Sequence, residues 1–119
     1  MNKINLAEKF AIFNEHWSPK IVGTLDDYEI KLVKVQGEFV WHKHDTKDEL
    51  FMVIDGELTI ARHDGDVVLG PGEFFVVPKG VEHRPSAATE CKILLLERSG
   101  VLNTSDAADG ALTVLAERI

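Results

Sequence analysis

Residues 41–51 read WHKHDTKDELF and contain two of the chain's five histidines, one residue apart, with a glutamate five positions after the second. In an extended chain, side chains at positions i and i+2 face the same side, so a strand here directs His42 and His44 to one face. A tight turn after His44 would bring the carboxylate of Glu49 back beside the two imidazoles. The segment therefore predicts three converging side chains that can bind a metal ion.

A fourth candidate lies in residues 72–83, GEFFVVPKGVEH, where His83 follows a Pro-x-Gly turn at the end of an apolar strand. A strand paired beside 41–44 would aim His83 at the same point. Three neutral imidazoles and one carboxylate suit Zn, Mn, Fe, Ni or Co, and suit Ca or Mg poorly because those ions prefer oxygen ligands. We predict a divalent transition-metal site formed by His42, His44, Glu49 and His83. The alternative is a hydrogen-bonded polar cluster without an ion.

After Pro19 the chain consists of short apolar runs separated by turn residues. About six to nine strands at this spacing predict an all-β sandwich or barrel. Asp55 and Gly56 indicate a two-residue hairpin turn, so the strand that carries Glu49 should pair with residues 57–62.

The two ends of the chain differ from this pattern. Asn5 and Glu8 resemble a capping box, and apolar residues follow at helical spacing, which predicts a short amphipathic helix over residues 5–13. Residues 98–119 turn small and polar before a last apolar stretch. A frayed tail, a weak helix and a strand added to a neighbour all remain open for this segment.

Several strands are apolar on both faces, including residues 49–54 and 93–96. In an antiparallel sheet, this pattern means that a second sheet covers one face, and that a terminal segment or another subunit covers the other. We predict a homodimer.

The spacing of these residues resembles the cupin superfamily. Its first motif runs Gly, five residues, His-x-His, three or four residues, Glu, six residues, Gly. Here Gly37 is followed by four residues, then by the two histidines, Glu49 and finally Gly56. The motif is one residue short before His42, which alters a turn and leaves the ligand positions intact.

The second cupin motif runs Gly, five residues, Pro-x-Gly, two residues, His, three residues, Asn. Gly72, Pro78, Gly80 and His83 match it, and Ala87 stands where the family often has Asn. The resemblance implies a single-domain cupin over residues 1–119, a double-stranded β-helix (jelly-roll barrel) with its core at about 19–97. It also implies that the four predicted ligands bind the ion inside the barrel.

Composition limits the partners of the protein. The net charge is −7 and there is no basic run, which argues against nucleic acid, because phosphate binding needs clustered Lys and Arg. No stretch approaches the roughly 18 apolar residues of a membrane span. The single cysteine and the absence of a signal-like N-terminus favour the cytoplasm. A small-molecule ligand is the expected partner.

Several other residues fit ordinary structural roles. Cys91 lies in an apolar strand, where a buried hydrophobic role is expected. His16 and His63 should be solvated, and Trp41 should pack on the outside of the barrel. Three further side chains could reach a barrel mouth and contact substrate, although solvated surface positions are the simpler expectation; they are Tyr28, Arg62 and Arg84.

The cupin resemblance implies a small-molecule enzyme of isomerase, dioxygenase or lyase type, and the chain is similar to the barrel of mannose-6-phosphate isomerases. Fold similarity alone is a weak guide to a specific reaction. The alternative is a non-enzymatic module that binds a small ligand or sugar, as the sensor domains of some regulators do.

Overall fold

The computed structural model describes residues 2–100 and 115–119, which form one short helix and eight strands. The elements are α1 Leu6–Phe10, β1 Lys20–Leu25, β2 Tyr28–Glu38, β3 Glu49–Asp55, β4 Leu58–Arg62, β5 Val67–Leu69, β6 Phe74–Val77, β7 His83–Arg98 and β8 Glu117–Arg118. Within these residues, no helix is long and apolar enough to cross a membrane.

The sheet is organised around the two longest strands, β2 and β7, which pair antiparallel over most of their length. The order is β5-β4-β7-β2-β1-β8, and β3 pairs with both β7 and β6. β4 pairs with the first residues of β7, at 83–86, and β3 pairs with later ones, at 92–96. β7 therefore contributes to both halves of the structure, which is the predicted jelly roll.

The predicted hairpin at Asp55 and Gly56 is wrong. β3 and β4 do not pair with each other; both run antiparallel to β7 and so follow one another in the same direction. Gly56 instead marks a kink between them, with φ +94°. A Cβ atom at this position would lie 3.1 Å from both the Cα of Cys91 and the carbonyl oxygen of Glu90, so the close approach of β7 requires glycine here.

Two apolar clusters stabilise the fold. The larger fills the barrel interior with alternate residues of the strands; its buried members include Val33, Val35, Phe51, Val53, Leu58, Ile60, Leu69, Val77, Ile93 and Leu95. The smaller lies outside the barrel, where Phe10 and Phe13 pack against Val22 and Leu32. A terminal segment thus covers part of the outer face, which is one of the two predicted ways of burying it.

The N-terminal helix is shorter than predicted, because it ends at Phe10 and not at residue 13. Its start is as expected: the side chain of Asn5 accepts a hydrogen bond from the backbone N–H of Glu8 at 3.0 Å. Phe13 lies beyond the helix and still packs beside Phe10. The sequence pattern therefore identified the buried face correctly and overestimated the helical length.

Of the C-terminal segment 98–119, residues 101–114 lie outside the described residues. Glu117–Arg118 form β8, which pairs parallel with Lys20 and Ile21 of β1. The ammonium group of Lys20 also donates a hydrogen bond to the carboxylate of Glu117, at 3.1 Å. Of the three alternatives for the tail, the described end forms an added strand. That strand pairs with β1 of the same chain.

Candidate metal centre

His42 and His83 are brought together by the backbone. Residues 41–44 do not form the predicted regular strand; a single antiparallel bridge joins His42 to His83, with N–H···O distances of 3.0 and 2.9 Å. The two imidazole centroids lie 4.3 Å apart. The extended conformation is enough to place the side chains as a strand would, so the predicted pairing of these two histidines is confirmed even though the strand is not.

The backbone also fixes which nitrogen of each ring faces the centre. Nδ1 of His42 lies 2.9 Å from the carbonyl oxygen of Val40, and Nδ1 of His83 lies 3.0 Å from that of Val81. Because a carbonyl only accepts, Nδ1 donates in both rings. Nε2 therefore carries the lone pair, as a metal-binding histidine requires.

Glu49 and His44 complete the cluster. Glu49 is the first residue of β3, and its Oε1 lies 3.3 Å from Nε2 of His44 and 3.5 Å from Nε2 of His83. The candidate ligand atoms of all four predicted residues lie within 4.8 Å of one another, and all four side chains are buried. The structure thus brings together the complete set that the sequence predicted.

The donor atoms fit a metal ion better than a closed hydrogen-bond network. Within the described chain, no hydrogen bond satisfies either ring nitrogen of His44, Oε1 of Glu49 or Nε2 of His83. Buried polar atoms without partners are rare and costly. Metal–nitrogen bonds are about 2.0 to 2.1 Å long, which places adjacent ligands of one ion roughly 3 to 3.5 Å apart, as observed for Glu49 and the two imidazoles. The cluster could therefore bind a divalent transition metal.

Protonation states favour the same interpretation. Burial, and then the neighbouring His83, lowers the pKa of His42 to about 4, so that its imidazole is neutral at pH 7. Burial opposes ionisation of Glu49, but the polar groups of His44, His83 and Glu97 beside its carboxylate outweigh burial and hold the pKa of Glu49 well below its ordinary value. His42 is thus prepared as a neutral nitrogen donor and Glu49 as an ionised carboxylate, the forms that bind a metal ion.

Sequence reasoning missed two charged residues beside the cluster. Glu97 of β7 is buried, and burial together with the charge of Glu49 raises the pKa of its carboxyl well above the ordinary value. Lys31 of β2, also buried, bonds Glu97 at 3.0 Å and lies 3.6 Å from Glu29. Lys31 and Glu97 therefore form a buried hydrogen-bonded pair beside the metal cluster.

A cavity of about 30 Å³ opens beside the cluster. Its polar floor is formed by His42, Glu49 and Glu97. The remaining wall is apolar and consists of aromatic rings, prolines and aliphatic side chains of β2 and β7; its residues are Trp17, Pro19, Val33, Val35, Phe39, Phe51, Pro85, Ile93 and Leu95. A small molecule entering here would meet the proposed ion with one end and apolar surface with the other.

Residues 30–97 match the cupin domain family. The chain belongs to this family. A crystal structure of a cupin-2 domain containing protein from Shewanella frigidimarina NCIMB 400 is 53% identical, with a TM-score of 0.79 over 80% of this chain and 93% of that one. Protein NMB1881 from Neisseria meningitidis, whose crystal structure is known, is 33% identical in sequence. Its structure matches with a TM-score of 0.75 and covers 82% of this chain and 100% of that one.

A curated relative is the uncharacterized protein YdbB of Bacillus subtilis, strain 168, which is 38% identical over 64 residues. That match covers 53% of this chain and 57% of the relative, so the chain matches little more than half of the relative's length. None of these three names states a reaction, and the expected likeness to mannose-6-phosphate isomerases stays a prediction.

The three candidate substrate contacts do not line the cavity of this cupin. Arg62 lies 3.5 Å from Asp64, and Arg84 pairs with Glu38 at 2.9 Å. Tyr28 is exposed and lies beside Arg98. The polar groups of these three side chains contact neighbouring surface residues. Surface positions outside the cavity, the simpler of the two expectations, therefore describe them better.

The other histidines, Trp41 and Cys91 lie outside the four-ligand cluster. Trp41 stacks on His63 with ring centroids 4.6 Å apart, on the outside of the barrel as predicted. His63 is exposed and pairs with Glu82, and His16 pairs with Glu90. Cys91 is buried, and burial raises the pKa of its thiol to about 11, which leaves it protonated and unreactive at neutral pH.

Proposed function

We propose that this cupin is a metal-dependent enzyme that acts on a small molecule inside its barrel. The convergence of three imidazoles and one carboxylate, two of which, His42 and Glu49, line a cavity, carries the proposal. A structural ion needs no adjacent cavity, whereas a catalytic site must leave room for substrate. The isomerase, dioxygenase and lyase types that cupins allow all fit such a site.

The protein's own contribution would be positioning and exclusion of water. An ion bound there would supply Lewis-acid or oxygen-activating chemistry. His42 and His83 are oriented by the carbonyl groups that accept from their Nδ1 atoms, and the first residue of β3 supplies the carboxylate of Glu49. The apolar wall keeps bulk water from the reacting groups, which strengthens electrostatic interactions within the cavity.

The metal assignment predicts the outcome of one substitution. Protein purified without chelator should contain about one equivalent of transition metal, and His44→Ala should weaken binding by roughly 100-fold or more, because even partners of ligands cost about 10- to 100-fold when removed. Elemental analysis and calorimetric metal titration measure both quantities. The matched control is His63→Ala, an exposed histidine outside the cluster, which should retain the metal. A metal-free wild type that also fails to take up added metal contradicts the proposal.

Catalysis is tested separately from metal binding. Oxygen consumption by the Fe(II)-loaded protein should be measured with diketones, catechols and thiols, beside an aldose-ketose isomerisation assay. Turnover that disappears in His44→Ala supports the enzyme. Tight binding of a small molecule without turnover in any assay would identify a non-enzymatic ligand-binding protein instead.

We also propose that two copies associate through the outer face of strands β6, β3 and β7. Phe74 and Val76 of edge strand β6 are exposed, at 58% and 41%. Next to them, Met52 of β3 and Leu96 of β7 are only partly buried by the described residues. Among the described residues β6 pairs only with β3, and its free edge and the adjoining apolar face could meet the same surface of a second copy across a twofold axis.

The dimer proposal is tested by charge placed on that face. Phe74→Glu should convert a dimer of about 27 kDa, twice the 13.3 kDa chain, into a monomer at micromolar concentration in analytical ultracentrifugation. The matched control is Val68→Glu, since Val68 is similarly exposed, at 56%, and lies on β5, at the other end of the sheet. A monomeric wild type would contradict the proposal.

A further inference from the structure

The charge of the cavity wall restricts what can bind beside the ion. Among the described residues, no lysine or arginine lines the cavity, and its acidic groups are Glu49 and Glu97. Lys31 lies near but is already bonded to Glu97 and close to Glu29. A second anionic group on a bound molecule would therefore find no cationic partner on this wall.

One residue of the apolar wall, Trp17, adopts an unusual backbone conformation. Trp17 has φ +60°, a left-handed conformation that costs a non-glycine residue roughly 1 to 2 kcal/mol. Three contacts maintain it: its backbone N–H donates to the carbonyl of Lys34 at 2.9 Å, its indole N–H donates to the carbonyl of Gln36 at 2.9 Å, and its ring stacks on Phe39 at 4.6 Å. Strained residues that are held in this way cluster at ligand-binding sites.

Backbone strain and ring stacking together hold a rigid apolar surface on the cavity wall beside His42. The rings of Trp17 and Phe39 are nearly parallel, at 19°, and both line the cavity. Phe39 in turn meets the His42 ring edge to face at 5.4 Å. A molecule that binds the ion from the cavity, next to His42, would thus pack its non-chelating part against these aromatic rings.

We propose, building on the metal-dependent function above, that the site selects a small chelating molecule whose body is uncharged and apolar, and that Trp17 sets this selectivity. The positive charge of the ion would neutralise the negative charge on the chelating oxygens. A phosphate or carboxylate at the other end of the molecule would lose its hydration against the aromatic and aliphatic wall with no counter-charge, which is costly. Phosphorylated sugars and acidic substrates are thereby disfavoured.

Two chelators with the same head test the charge selectivity. Acetohydroxamic acid ends in a methyl group, whereas the monohydroxamate of succinic acid carries a carboxylate at that end. Zn(II)-loaded protein is titrated with each by calorimetry, and the Trp41→Phe variant, in which Trp17 is the one tryptophan left, reports contact through fluorescence. We expect the uncharged chelator to bind at least about 10-fold more tightly, near 1.4 kcal/mol, and to change the Trp17 emission.

The outcomes separate the two proposals. Failure of zinc to bind in the absence of chelators overturns the proposed function. Zinc binding with equal affinity for both chelators, or preference for the carboxylated one, leaves the metal site intact and overturns the selectivity. Binding of the uncharged chelator without any change in Trp17 emission overturns the role of Trp17.

Substitution of Trp17 tests its role directly. Trp17→Arg places a cation on the wall and should raise affinity for the carboxylated chelator by about 10-fold while zinc affinity is unchanged, because Trp17 is not a ligand. Trp17→Ala removes the ring without adding charge and should weaken only the uncharged chelator; it also keeps the proposal testable if the arginine variant does not fold. Parallel changes for both chelators in both variants would contradict the role.

Discussion

Lys31→Met should destabilise the fold by about 1 to 3 kcal/mol, the cost expected when a buried polar group loses its hydrogen-bond partner. Lys31 and Glu97 are 1% and 2% exposed and lie 3.0 Å apart. Without Lys31, the Glu97 carboxyl stays buried beside Glu49 with no partner for the oxygen that Lys31 bonds, and its raised pKa favours the protonated form. Urea denaturation in the presence of a chelator measures the loss, and the chelator ensures that a change in metal affinity does not contribute.

Two comparisons establish that the loss comes from a buried carboxyl group left without its partner. The double variant Lys31→Met/Glu97→Leu should recover most of the stability, since replacing both members of a buried pair with apolar groups is often neutral or favourable. Arg98→Met removes an exposed partner of Asp27, one residue beyond Glu97, and should cost less than about 1 kcal/mol. A Lys31→Met protein as stable as the Arg98 variant would show that the pair contributes little.

The four candidate ligands could be identified from sequence because their positions depend on local geometry. Side chains at i and i+2 face the same way in any extended segment, so His42 and His44 are directed together although residues 41–44 form a single bridge and not a strand. Glu49 and His83 sit at the starts of strands that flank this segment. The cluster was therefore predictable even where the secondary structure was wrong.

Glu97 and Lys31 were missed although a signal was present. Glu97 alternates with Ile93 and Leu95, and so shares their inward face. Lys31 alternates with Val33 and Val35 on β2 in the same way. An ionisable residue in the inward register of an apolar strand indicates a buried charge, and two such residues on strands that pair predict an ion pair.

Trp17 carried no comparable signal. It lies in a linker between α1 and β1, where no hydrophobic period applies. Its place on the cavity wall depends on hydrogen bonds to the carbonyls of Lys34 and Gln36 in β2, which are contacts distant in sequence. Residues positioned by tertiary contacts of this kind become visible only in the folded structure.

The hairpin error has a related cause. The tendency of Asp55 and Gly56 to form a turn describes the local backbone, and Gly56 does adopt a positive φ. Which strands pair is decided by long-range contacts, and β7 is long enough, at 16 residues, to pair with both β3 and β4. The same glycine therefore serves as a kink that keeps the chain alongside β7.

Gly56→Ala should consequently destabilise the protein by about 2 to 5 kcal/mol, from a left-handed conformation that costs roughly 1 to 2 kcal/mol and from overpacking that costs about 1 to 3. The new Cβ would lie 3.1 Å from backbone atoms of β7, which cannot move without disturbing the pairing of both neighbours. Gly72→Ala is the matched control, since Gly72 has φ +83° and no atom within 4 Å of a Cβ built there. Urea denaturation should show a loss near the strain cost alone for Gly72→Ala and a loss at least about 1 kcal/mol larger for Gly56→Ala. Equal losses would show that backbone conformation, and not contact with β7, requires glycine at the kink.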